Sequence, residues 1–106
     1  MTAITQPEMN EILDIIKTYA SDCDVMVFGS RYKNTNKDYS DLDLAFISPD
    51  NKKLEHNKRH LLEDAFSESD LPYRVDVVDY NSISAEFRDI IDKGYEVIYR
   101  SYSIFA

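Results

Sequence analysis

The chain reads as a small α/β domain, with a mixed sheet of three or four strands and helices packed mainly on one face. Three observations lead there. Two apolar runs, Val25-Met26-Val27-Phe28 and Leu42-Asp43-Leu44-Ala45-Phe46, are joined by a short polar stretch. A β-branched run, Tyr73-Arg74-Val75-Asp76-Val77-Val78-Asp79, follows later. Segments with helical recurrence precede, separate and follow these runs. At 106 residues the chain is expected to form one domain, spanning 1–106. A chain of this size buries a little over ~60% of its unfolded surface, enough for one core.

The elements follow in order. Pro7 suits the first turn of a helix, where its missing N–H is not needed. Met9, Ile12, Leu13, Ile16 and Ala20 then recur at helical spacing, with Glu8 and Glu11 near the positive end and Lys17 near the negative end. Residues 25–28 form the first strand, and a short helix is expected to start at Ser30. The second strand runs over 41–48 and stops at the turn cluster Pro49-Asp50-Asn51. Leu54, the stem of Lys58, Leu61, Leu62 and Ala65 share one face of a helix over 52–67. Residues 73–79 make the third strand. Ile83, Phe87, Ile90 and Ile91 mark a third long helix, closed by Gly94. Residues 95–99 form a last strand or a packed extension. The tail carries Tyr102, Ile104 and Phe105, which either bury against the first helix or offer a partner-binding edge.

Chemistry concentrates between Val25 and Phe46. Residues i and i+2 of a strand share a face, so Asp41 and Asp43 stand side by side while Leu42 and Leu44 enter the core. Two carboxylates about 7 Å apart along a strand repel one another unless a cation lies between them. Oxygen-only ligands of this kind suit Mg²⁺ or Mn²⁺. Ten residues earlier, Gly29 allows a sharp turn and close approach of a ligand, and Ser30 is a favoured helix N-cap whose helix start binds phosphate. Together these features describe a phosphoryl- or nucleotidyl-transfer site. Arg31, Lys33 and Lys37 lie beside it; Arg31, adjacent to Ser30, joins Gly29 and Ser30 as a nucleotide-binding candidate. The plain alternative for this stretch is a solvated loop. Asp76 sits between two valines, either facing solvent on an edge strand or completing a triad with Asp41 and Asp43. Asp79, at the strand end, suits capping or turn duties better. His56 and His60 project together from a helix but bring no obvious third metal ligand.

Gly29-Ser30, a ten-residue gap and then Asp41-x-Asp43 resemble the signature of the DNA polymerase beta-like nucleotidyltransferase superfamily. The short chain is similar to its minimal nucleotidyltransferases, the MNT proteins, from about Ile12 to Tyr99. The resemblance implies ATP as substrate and Mg²⁺, in two ions, as cofactor, held by Asp41, Asp43 and a third acidic residue from a later strand, which Asp76 matches. It also implies a partner. MNT proteins pair with HEPN proteins as toxin–antitoxin modules, the MNT protein neutralising a ribonuclease toxin by moving AMP to one of its tyrosines. Three other readings stay in view: an antitoxin that acts by binding alone, a small-molecule, aminoglycoside-like nucleotidyltransferase working with a partner domain, and a degenerate nucleotide-binding module, against which the intact Gly29, Ser30, Asp41, Asp43 and Asp76 argue.

Charge and composition narrow the classes. The formal net charge is −8 and the pI about 4.6. Phosphate backbones are bound by clustered Lys and Arg, so a duplex-binding role is disfavoured, and a basic protein partner fits better. The single Cys23 excludes an internal disulfide and fits a reducing compartment. No run approaches membrane-spanning length and no basic, then apolar leader opens the chain, so a cytoplasmic protein is expected.

Overall fold

A computed structural model describes residues 3–38 and 40–101. Four strands form one mixed sheet in the order β3-β2-β1-β4. They are β1 (Asp24–Phe28), β2 (Leu42–Ile47), β3 (Val75–Asp79) and β4 (Tyr95–Tyr99). Strand β1 pairs antiparallel with both β2 and β4, whereas β2 pairs parallel with β3. Residues 95–99 are therefore a true strand.

Helix α1 (Gln6–Tyr19) begins in a reciprocal capping box. The Glu8 N–H donates to Thr5 Oγ1 at 3.3 Å, and the Thr5 N–H donates to the Glu8 carboxylate at 3.1 Å. Ile12 and Ile16 pack into the main core beside Leu62 and Phe66 of α3 (His56–Ser67). Opposite them stand Val25 and Val27 of β1, Leu42, Leu44 and Phe46 of β2, and Val77 of β3. The alternate residues Met26, Phe28, Ala45 and Val78 face the other way, where Phe87 and Ile91 of α4 (Ala85–Asp92) cover them. Two long helices thus share one face, and α4 shields part of the second.

Three expectations about local structure are corrected. The second long helix starts at His56, not at residue 52. Asp50 and Asn51 take positive φ (59° and 58°), and the Leu54 N–H is captured at 2.8 Å by the buried Asp79 carboxylate. Leu54 reaches the core from this extended segment rather than from a helix face. The third strand begins at Val75, because Tyr73 turns inward to donate its hydroxyl to Glu8 at 3.0 Å. Gly94 does not supply a left-handed helix end, since α4 stops at Asp92 with Lys93 as its cap. Glycine is needed at 94 because a Cβ there would lie 2.9 Å from the Tyr32 ring of α2 (Ser30–Lys33). The aromatic tail at Tyr102, Ile104 and Phe105 lies outside the described residues. Among the described residues no helix is long and apolar enough to cross a membrane.

Phe46, the penultimate residue of β2, is fully buried. Phe46→Ala is expected to lower the unfolding free energy by about 3–5 kcal/mol, read from urea denaturation followed by circular dichroism.

Candidate active site

Strand register assembles the acidic group. Asp43 of β2 is the Cα partner of Phe28 on one side and of Asp76 on the other. Since Phe28 is the last residue of β1, Gly29 follows directly beside Asp43. Gly29 has φ 81° and ψ −158°, a region essentially restricted to glycine. A Cβ at this position would collide with the Asp43 carboxylate. The chain then turns at once into α2, whose first residue is Ser30. The order apolar strand, Gly-Ser turn, acidic strand therefore has a steric basis: the turn passes the carboxylate too closely for any side chain.

Asp41 lies just before β2 and receives a hydrogen bond from Arg74 Nη2 at 3.0 Å. Asp76 is exposed on the edge strand, and the parallel register sets it next to Asp43. The Asp43 carboxyl is pushed up from 3.8 to about 6. Burial is the largest cause; the neighbouring Asp76 and Asp41 carboxylates add to it, and Arg74 partly offsets it. A half-buried carboxylate set between two others, with its nearest guanidinium bonded to Asp41, fits a divalent cation held through oxygen. Among the described residues no group of three acidic, histidine or cysteine side chains is placed to hold a metal ion, so Asp41, Asp43 and Asp76 are neighbours without converging on one point.

Arg31 is not brought to these carboxylates. Its side chain is buried, and its guanidinium donates to the backbone carbonyls of Ser40, Ala3 and Asp38 at 3.0, 3.1 and 3.2 Å. It also stacks over the Tyr73 ring at 3.8 Å. This side chain organises the loop between α2 and β2, while Lys33 and Lys37 remain exposed. Asp79 is spent on structure, accepting from the Leu54 and Asn81 N–H groups. His60 lies 3.4 Å from Asp64 on the outer side of α3. Arg74, the cation nearest the site, carried no signal in the sequence beyond its place two residues before Asp76.

Fold and site define a nucleotidyltransferase: residues 10–103 match the family Polymerase beta, Nucleotidyltransferase, and the chain belongs to it. The probable protein adenylyltransferase MntA of Haemophilus influenzae is 48% identical over 103 residues, covering 92% of this chain and 89% of that protein. A crystal structure of a toxin–antitoxin with AMP-PNP shares the fold at a TM-score of 0.74 and 22% identity, over 91% of this chain and 76% of that one. So does the MNT antitoxin in complex with a tri-AMPylated HEPN toxin of Shewanella oneidensis, at a TM-score of 0.67 and 22% identity, over 94% and 76% of the two chains.

Two outcomes follow from the geometry. Gly29→Ala forces the backbone out of its φ region and displaces Asp43. It should cost about 1–3 kcal/mol of stability and lower Mn²⁺ affinity by roughly ten-fold or more, measured by urea unfolding and calorimetry. The second concerns pH. In the unfolded chain Asp43 ionises near 3.8, whereas the folded carboxyl keeps its proton up to about 6. Between these values the unfolded state gives up the proton first, so this group destabilises the metal-free fold as pH rises through the window. Asp43→Asn should remove that loss, seen by comparing unfolding of both proteins in chelator below and above the window. An unchanged pH trend in the variant would assign the loss to other groups.

Proposed function

We propose that this chain is a Mg²⁺-dependent protein adenylyltransferase that serves as an antitoxin. It moves AMP from ATP to a tyrosine of a HEPN-family toxin and thereby neutralises it. The observation that carries the reading is the contact of the Gly29 backbone with Asp43, which is itself in register with Asp76. That contact supports a turn suited to phosphate lying beside a carboxylate group. The kinship to MntA and to the MNT partner of an AMPylated HEPN toxin supports the acceptor class.

In this reading Gly29 and Ser30 hold the outer phosphates of ATP through backbone N–H groups and the Ser30 hydroxyl. Asp41, Asp43 and Asp76 are the metal ligands. Two Mg²⁺ ions, or Mn²⁺ in their place, supply charge neutralisation at the phosphates and a more acidic acceptor hydroxyl. Arg74 and Asp76 also line a cavity of about 380 Å³ between α3 and the β3 edge. The phenolic hydroxyl gives its proton to solvent, its oxygen bonds to the α-phosphorus, and the bond from that phosphorus to the bridging oxygen breaks, releasing pyrophosphate. Arg31 holds the loop that positions Asp41 rather than touching phosphate. The work is done in the cytoplasm, on a protein and without duplex nucleic acid.

The net charge of −8 favours one further reading, an antitoxin that acts by covering a basic partner. Incubation with α-labelled ATP, Mg²⁺ and the toxin separates the two. Label should appear on the toxin and fall by roughly 10³-fold with Asp41→Asn/Asp43→Asn, while the complex persists. A stable complex that never acquires label, yet still protects cells, would favour covering alone.

A further inference from the structure

The register that joins Asp43 to Asp76 continues in the other direction. Asp76, Asp43, Phe28 and Tyr95 are successive Cα partners across β3, β2, β1 and β4. Directly paired residues project from the same face of a sheet. Val97, two residues after Tyr95, packs with Met26 and Phe28 in the cluster beneath α4, which places Tyr95 on that same face. The row thus runs from the acidic group to an aromatic ring two strand spacings, about 10 Å, beyond Asp43.

The rings in this neighbourhood differ in what they have left to offer. Phe28 is 7% exposed and meets Phe87 edge-on, with centroids 5.9 Å apart at 75°. The Tyr80 hydroxyl is bonded to Asp92 at 2.8 Å. Tyr95 is 41% exposed. Its backbone is held in place, because Gly94 admits the Tyr32 ring of α2 against the chain just before β4. The same short helix begins at Ser30, so the turn that would hold phosphate and the start of β4 are locked to one another.

We infer that Tyr95 is the platform on which the adenine of the nucleotide stacks, and so a specificity-determining residue of the site. The inference rests on the proposed nucleotidyl transfer. In that reading the triphosphate lies against Gly29 and Ser30, and the row of paired residues on that side of Asp43 ends at Tyr95. An exposed phenol ring on a rigid strand suits a purine face, since stacking needs a flat partner and little else.

The test compares ATP with inorganic tripolyphosphate, which has the phosphates but no base. Affinities are measured by calorimetry with Mg²⁺ for the wild-type chain, Tyr95→Ala and Tyr95→Phe. Wild type should bind ATP more tightly than tripolyphosphate. Tyr95→Ala should lose ATP affinity by about 5- to 100-fold with tripolyphosphate binding unchanged, and Tyr95→Phe should restore it. The inference is overturned if Tyr95→Ala binds ATP like wild type, or if it weakens both ligands equally. Should the wild-type chain bind neither ligand, the reading of the whole site falls, and this inference with it.

Discussion

The closest approach that shapes this molecule is the passage of the Gly29 backbone past the Asp43 carboxylate. No side chain fits between them, and the backbone there adopts angles that glycine alone tolerates. The contact links the end of β1 to the beginning of β2, and α2 starts at the next residue. Strand pairing then sets Phe28 and Asp76 on either side of Asp43.

Charge is handled in two ways on the same strand. Asp79 is buried, but backbone N–H groups of Leu54 and Asn81 surround it, so its carboxylate is solvated by the protein itself. Three residues earlier Asp76 is open to solvent, beside an Asp43 whose proton is held up to about 6 by burial and by like charge. The first arrangement stabilises a loop; the second leaves neighbouring like charges unbalanced. The two arginines divide in the same manner. Arg31 is consumed by three carbonyls and a tyrosine ring, and Arg74 reaches out to Asp41 from the edge of the sheet. A perturbed carboxylate in an accessible position is the ordinary mark of a functional site, and a satisfied one is the mark of a fold.

Much of this was legible in the residues. The helical recurrence of Ile12 and Ile16, the alternation in β2 and the β-branched run of β3 each reflect burial on one side, which acts locally along the chain. Gly29, Ser30, Asp41 and Asp43 were readable as a group because one turn and one strand carry them. Asp76 was harder to read, since its partner is 33 positions earlier and only the parallel pairing of β2 with β3 brings them together. Arg31 was misleading because sequence adjacency to Ser30 says nothing about which way a long side chain leaves a short helix. The start of α3 was lost for a similar reason, as Leu54 looks helical until the distant Asp79 takes its N–H.

The sequence by itself therefore determined the α/β class, the strand and helix faces, and the Gly-Ser and Asp-x-Asp halves of the site, all of them set by neighbours within a few residues. The tertiary structure alone decided that Asp76 joins Asp43, that α4 shields part of the second face, and that Arg31 turns inward. It also decided that Tyr95 ends the row that starts at the acidic edge. These are matters of strand register and packing between segments far apart in the chain, where the deciding contacts have no local periodicity to announce them.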